Sequence, residues 1–295
     1  MRWTDGFIAV DWGTTNRRAY RLGARGGVED RLEDDKGILA VPPGGFPAAV
    51  EEIRAALGDR PMLMAGMVGS NRGWEEAPYV PCPAGLPELA AALKWVEPER
   101  VAIVPGVCFS VGDAADVMRG EEVQLLGAYA EGLVPGDATI CHPGTHNKWV
   151  RLEDGRIAAF RTVMTGEMFS LLSKHSILSD MLTGEVAPGA AFDAGVQAGL
   201  SGGPLTGELF SVRARVLLGK ARREDAASYT SGLLIGTDVR SGIAAAADGP
   251  IYVMGRPDLT RLFATALAAA GREAKELEGD EAFLCGARHL AELVQ

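Results

Sequence analysis

FIAVDWGTTNRRAYRL, residues 7–22, reads as an apolar strand, a polar turn and a second strand. Phe7, Ile8, Ala9 and Val10 make the first run, and Ala19, Tyr20, Arg21 and Leu22 the return. Between them stand Asp11, Gly13, Thr14, Thr15 and Asn16. A buried strand that delivers a carboxylate into a Gly/Thr turn suits a magnesium–phosphate site. Asp11 can hold the metal through its waters. Gly13 lets a ligand approach the backbone. The turn N–H groups and the hydroxyls of Thr14 and Thr15 can bond phosphoryl oxygens. The same string also suits a plain β-hairpin with a polar turn, and alone it does not choose.

Composition bounds the answer. A chain of 295 residues makes one large or two medium domains, and 47% hydrophobic content supplies their cores. No apolar run approaches the roughly 20 residues of a membrane span. MRWTDGF leads straight into the first strand, so no signal peptide is expected. Cys82, Cys108, Cys141 and Cys285 are scattered without a CxxC pair, as suits a reducing cytoplasm. The net charge of -10 argues against a nucleic-acid partner. An anionic substrate then needs a local cation or a metal. A homo-oligomer is compatible with the chain.

Beyond the first hairpin, PAAVEEIRAAL (47–57) reads as helix, PMLMAGMVG (61–69) as strand and 70–85 as loop. LPELAAALKWV reads as helix and VAIVPGV as strand. This alternation predicts α/β layers. Residues 114–134 read as helix. ATICHPGTHNKWVRL (138–152) then repeats strand, Gly/Thr turn, strand, and DGRIAAFRTV adds a third strand. Two such hairpins suggest two similar half-domains facing a shared cleft. Most of the remainder carries helical periodicity, with PIYVMG as a late strand before DLTRLFATALAAAG and a last amphipathic helix, DEAFLCGARHLAEL.

Three further places suit chemistry. Gly120 precedes Glu121 and Glu122 at a helix start, where acids are also favoured by the helix dipole alone. In HPGTHNK (142–148), Gly144 and Thr145 suit phosphate and Lys148 adds a charge. His142 and His146 are four apart, but a Gly turn does not put them on one helix face, so zinc is disfavoured. In VMGRPDL (253–259), Gly255 ends a strand before a helix, a place for an adenine ring or an ordinary turn.

In order, these motifs resemble the sugar-kinase branch of the actin/hexokinase/Hsp70 ATPase superfamily. No GxxxxGK[ST] string is present. MAGMVGSNRGWEEAPYVPCPAG, MRGEEVQLLGA, HPGTHNKWV and TGEMFSLLSKHSIL, with DWGTTNRRAYRL, resemble more narrowly the 2-dehydro-3-deoxygalactonokinase family, over nearly the whole chain. That resemblance implies two ribonuclease H-like (actin-like ATPase) α/β domains facing an interdomain cleft. The first, 1–113, would carry the phosphate hairpin and sugar loop; the second, 114–295, the second hairpin and adenosine pocket. It implies ATP and Mg2+ as cofactors and transfer of the γ-phosphate to the 6-hydroxyl of 2-keto-3-deoxygalactonate, in the cytoplasm.

The resemblance also assigns roles. Asp11 would hold magnesium. Gly13, Thr14 and Thr15 would meet the transferred phosphate, Gly144, Thr145 and Lys148 the β/γ end of ATP, and Gly255 the adenosine. Glu121 would be the catalytic base, where the superfamily usually has Asp, and Glu122 is its rival. Ser70, Asn71 and Arg72 would bind the sugar acid with Trp74 as a wall; the alternative is a surface turn with Trp74 packed underneath. Arg17 and Arg18 alternate in a strand, so at most one faces the ligand. Three other readings carry different expectations: a kinase of another sugar or keto-deoxy acid such as 2-keto-3-deoxygluconate, a non-catalytic actin-like protein, and a sugar-responsive transcription factor. The last needs a DNA-binding segment that the six residues before Phe7 do not supply.

Overall fold

The computed structural model describes residues 3–294. Met1 and Arg2, the start of the segment read as excluding a signal peptide, lie outside the described residues, as does Gln295. The chain forms two compact units: residues 1–137, 152–159 and 279–295, and residues 138–151 and 160–278.

The first unit is built on a six-stranded sheet in which β1 (Gly6–Trp12) is central. It pairs antiparallel with β2 (Arg17–Gly23), which pairs antiparallel with β3 (Val28–Asp34). On its other side β1 runs parallel to β4 (Met62–Gly66), and β4 parallel to β7 (Val101–Ile103). The edge strand β6 (Lys94–Glu97) pairs antiparallel with β7. β1 is buried along nearly its whole length, as its unbroken apolar run requires. β3 is mostly exposed and charged, which suits an edge. Helix α1 (Phe46–Leu57) joins β3 to β4 and buries Phe46, Val50, Ile53 and Leu57, one stripe of the helix. Phe46 meets Trp12 edge-on, with ring centroids 5.6 Å apart. A small sheet holds β5 (Tyr79–Pro81), β8 (Gly106–Val111) and β9 (Ala114–Met118). Helices α2 (Leu86–Ala91), α3 (Glu121–Ala130) and α9 (Gly279–Leu293) complete the unit, α3 packing along α9.

In the second unit the sheet order is β12 (Arg156–Val163), β11 (Asn147–Glu153), β10 (Ala138–His142), β13 (Ile251–Gly255), β14 (Ala274–Glu278). β10, β13 and β14 are parallel. The order repeats that of the first sheet: three consecutive strands, then parallel partners reached through helices. Those helices are α4 (Thr165–His175), α5 (Ala190–Ser201), α6 (Leu205–Leu217), α7 (Ala226–Ile243) and α8 (Pro257–Ala269). α7 is buried on most sides and lies at the centre of the helical layer.

Several sequence expectations change. The strand read over 61–69 ends at Gly66 and continues as a 3-10 turn, Met67–Gly69. The helix read through LPELAAALKWV stops at Ala91, and its last residues form β6. Residues 114–118 are strand rather than helix. Pairings such as Val107 with Met118 and Phe109 with Asp116 override the local preference for helix. The 70–85 loop contains β5. The compact units divide at 137/138, not at 113/114, because β9 pairs back onto β8 and α3 packs on α9.

Candidate active site

In the first unit, Asp11 stands one residue before the end of β1, directly opposite Arg18 of β2. Arg18 Nη2 donates to Asp11 Oδ2 at 2.5 Å and its Nη1 pairs with Asp280, at the start of α9. Arg17 takes the other face. It is 1% exposed, lies over the Trp12 ring, and donates to Asp34 Oδ2 at 2.6 Å and to the Ala49 carbonyl. Only Arg18 is therefore available at the hairpin end. The turn itself is fixed through its carbonyls. Gly13 N donates to Asn16 O, while the carbonyls of Gly13, Thr14 and Thr15 accept from Ile38, Leu39 and Gly37. Thr14 and Thr15 remain exposed.

The paired acids differ in surroundings. Glu122 is fully buried, and both its oxygens accept from the Gly120 N–H, at 2.7 and 2.9 Å. Burial, with the neighbouring Glu121 charge adding, pushes its carboxyl up to about 8. Glu121 is only partly buried, and its Oε2 accepts from Arg119 N at 3.1 Å. Asp11 titrates above the usual carboxylate range: burial raises it, Arg18 opposes, and Asp280 and Glu121 add repulsion. Asp11, Glu121 and Asp280 thus share one electrostatic neighbourhood around Arg18. The backbone brings them there. Gly66 ends β4 at φ 95°, and a Cβ on it would lie 2.8 Å from Trp12 O and 3.5 Å from Asp11 Oδ1.

Among the described residues no group of three or more His, Cys, Asp or Glu could cage a metal ion. Mg2+ needs no such group, since it keeps its waters and takes one carboxylate plus substrate phosphates. Asp11, near the end of β1 and beside the exposed Thr14–Thr15 turn, is a carboxylate that could serve in that way.

The Ser70–Trp74 loop folds tightly. Ser70 is buried, donates to Met67 O at 2.7 Å and accepts from Arg72 N. Asn71 and Arg72 are exposed. Trp74 is half-buried and stacks on Phe46, 6.4 Å between centroids. Under this loop lies Arg119, a residue the sequence reading missed. It is buried, stacks over Tyr79 at 4.4 Å and donates to Ala77 O at 2.7 Å, while its Nε and Nη1 find no partner. Its only sequence signal is its place before Gly120–Glu121.

In the second unit, Gly144 and Thr145 form the turn between β10 and β11, with Thr145 exposed. Lys148 lies within β11 and is buried, not presented on the turn. Gly255 ends β13, which runs parallel beside β10, and backs onto the Pro143 carbonyl. Gly144, Thr165, Phe169, Leu234 and Leu259 help line a mainly apolar pocket of about 310 Å³ reaching the start of α8; Gly255 is not in its lining. The sequence reading also missed Asp238 on α7. It is 2% exposed and accepts from Asn147, Trp149 and Thr165. Burial raises its carboxyl, and the three donors oppose that rise.

Two α/β units, each with a three-strand meander and a Gly/Thr turn at the head of its sheet, make the actin-like fold. The 2-keto-3-deoxy-galactonokinase family matches residues 11–290, and the chain belongs to that family. The 2-dehydro-3-deoxygalactonokinase of Escherichia coli K12 is 39% identical over 292 residues, 98% of each chain. A crystal structure of a Sinorhizobium meliloti protein provisionally assigned as a 2-dehydro-3-deoxygalactonokinase superposes with a TM-score of 0.90 at 36% identity, covering 97% of this chain and 98% of that one. Component A of the (R)-2-hydroxyglutaryl-CoA dehydratase of Acidaminococcus fermentans shares the fold alone, with a TM-score of 0.54 at 11% identity over 98% of this chain and 99% of its own. No helix among the described residues is long and apolar enough to cross a membrane.

Proposed function

We propose that this chain transfers the γ-phosphate of ATP to the 6-hydroxyl of 2-dehydro-3-deoxygalactonate. Its membership of a kinase family over residues 11–290 carries this reading. The reaction breaks the bond between the γ-phosphorus and its bridging oxygen, forms a new P–O bond to the alcohol, and releases ADP. Catalysis of this kind is mostly positioning and charge stabilisation.

Glu121 accepts the hydroxyl proton. It is the more exposed acid of the pair, and its neighbour Glu122 is enclosed and held on Gly120. Thr14 and Thr15, with their backbone N–H groups, contact the transferred phosphate, and Gly13, lacking a side chain, lets it come close. Mg2+ when bound neutralises charge on the phosphate oxygens, and Asp11 is the residue that would hold it. Arg18 orients Asp11. Gly144 and Thr145 hold the β/γ end of ATP, Lys148 adds positive charge behind that turn, and Gly255 supports it from the next strand. The apolar pocket beside Gly144 takes the adenine, being of ordinary ligand-site size. Ser70, Asn71, Arg72 and Trp74 form the sugar-acid side. Reliance on ATP and the absence of any CxxC pair support a cytoplasmic location.

ADP release, measured with Mg-ATP and a panel of acceptors, tests the substrate. The panel is 2-dehydro-3-deoxygalactonate, its gluconate epimer, galactonate, galactose, xylulose and glycerol. Release with the first compound, and much less with the others, is expected. Faster release with the epimer or a neutral sugar would keep the kinase and discard this substrate.

A further inference from the structure

The buried carboxylate of Asp238 gathers three donors from two elements of the second unit, β11 and α4. Asn147 Nδ2 donates to Oδ2 at 2.8 Å, and Thr165 Oγ1 to the same oxygen at 2.5 Å. Trp149 Nε1 donates to Oδ1 at 2.7 Å. All three donors are neutral. Without a cation, an ionised carboxylate is expensive to bury unless its lone pairs are filled by well-directed hydrogen bonds. Apolar side chains at all four positions would fill the same space without burying polar groups, so the network needs a reason.

The donors supply one. Asn147 begins β11 immediately after the Gly144–Thr145 turn, and its Oδ1 also accepts from the Cys141 thiol in β10 at 3.5 Å. One amide therefore ties both arms of the hairpin. Thr165 opens α4, and the next residue, Gly166, packs directly on the turn. A Cβ there would lie 2.5 Å from Gly144 O and 2.9 Å from Thr145 Cα, so only glycine fits. Glu167 N then donates to Thr145 O at 2.9 Å. The first turn of α4 clamps the Gly144–Thr145 backbone, and Asp238 holds both the clamp and the hairpin.

We infer that Asp238 is a positioning residue that sets the conformation of the Gly144–Thr145 turn through Asn147 and Thr165. Under the proposed function this turn carries the β/γ end of ATP, and the inference rests on that reading. Asp238 touches no ligand. Its action reaches ATP only through the turn, so its loss weakens ATP binding and leaves the sugar-acid side unchanged.

The test uses four variants of the full chain. Thr165→Val keeps the shape of the side chain and removes one donor, Thr165→Ser restores that donor, and Asp238→Ala removes the acceptor. Trp149→Phe removes the donor farthest from the turn. In Thr165→Val the KM for ATP is expected to rise about tenfold, the effect of one charge-assisted hydrogen bond. Its KM for the sugar acid is expected to change little; because Thr165 also lines the pocket given to the adenine, the ligand-free exchange below separates positioning of the turn from direct contact. Thr165→Ser returns the KM for ATP to the wild-type value, and Asp238→Ala exceeds the valine variant. Trp149→Phe lowers the melting temperature and leaves the KM for ATP unchanged. Hydrogen exchange at the amides of residues 144–146 is measured in parallel without any ligand, and speeds up in Thr165→Val but not in Trp149→Phe. An unchanged KM for ATP and unchanged exchange in Thr165→Val overturn the inference, as does a Trp149→Phe variant that behaves like it. Should Asp238→Ala fail to fold, Thr165→Val still decides. A wild-type protein without kinase activity defeats the functional reading, and the exchange data still judge the positioning role.

Discussion

Glu121 and Glu122 are adjacent in sequence and opposite in surroundings. The carboxyl of Glu122 is held at about 8 mainly by burial, so it stays protonated at neutral pH. A carboxyl raised in the folded state stabilises the fold fully below its unfolded value and loses that contribution as pH rises through the folded one. Here the window runs from 4.5 to about 8. Across it the wild type should lose about 1.4 kcal/mol per pH unit relative to Glu122→Gln, whose neutral amide can still accept from Gly120. Urea unfolding of both proteins at several pH values checks this, and parallel curves would contradict it. The GEE string offered two acids at a helix start, either of them a candidate base. It could not show which one, because burial at a helix start depends on the partner α9, far along the chain. Asp238 and Arg119 were invisible for the same reason. Asp238 is a single polar letter in an unremarkable stretch and Arg119 one beside the GEE string, and both gain meaning only from partners in other elements.

At the scale of elements, the ends of β1, β4 and α3 converge because Gly66 has no side chain. Gly66→Ala would place a methyl group 2.8 Å from the Trp12 carbonyl, at a φ of 95°. A loss of about 1–3 kcal/mol is expected in urea unfolding. Activity should fall as well, since the shifted strand end carries Asp11. A Gly66→Ala protein as stable and as active as wild type would show that the close approach is dispensable. Both Gly/Thr hairpins and the long helices were legible in the sequence, for they carry strong local patterns. The short strands were not. β9 lies in an alanine-containing stretch whose local preference is helical, and β6 follows a helix without a break in apolar character. Hairpin pairing with the neighbouring strands β8 and β7 decides these, and it outweighs the local preference for helix.

For the whole molecule, the repeated sheet order was foreshadowed by two strand–turn–strand motifs with G-T in the turn. The unit boundary was not, because the last helix returns to the first unit. What the molecule does rests on one chemical event, the appearance of phosphate on the sugar acid. Phosphorus NMR of a reaction of 2-dehydro-3-deoxygalactonate with Mg-ATP, run with wild type and with Glu121→Gln, observes that event directly. Wild type is expected to yield a new phosphomonoester on the 6-oxygen. With Glu121→Gln, formation should slow about 10²–10⁴-fold while ATP still binds, the usual effect of losing a general base. ATP consumed to free phosphate with no ester formed, or an ester formed equally fast by the Glu121→Gln variant, would contradict this mechanism.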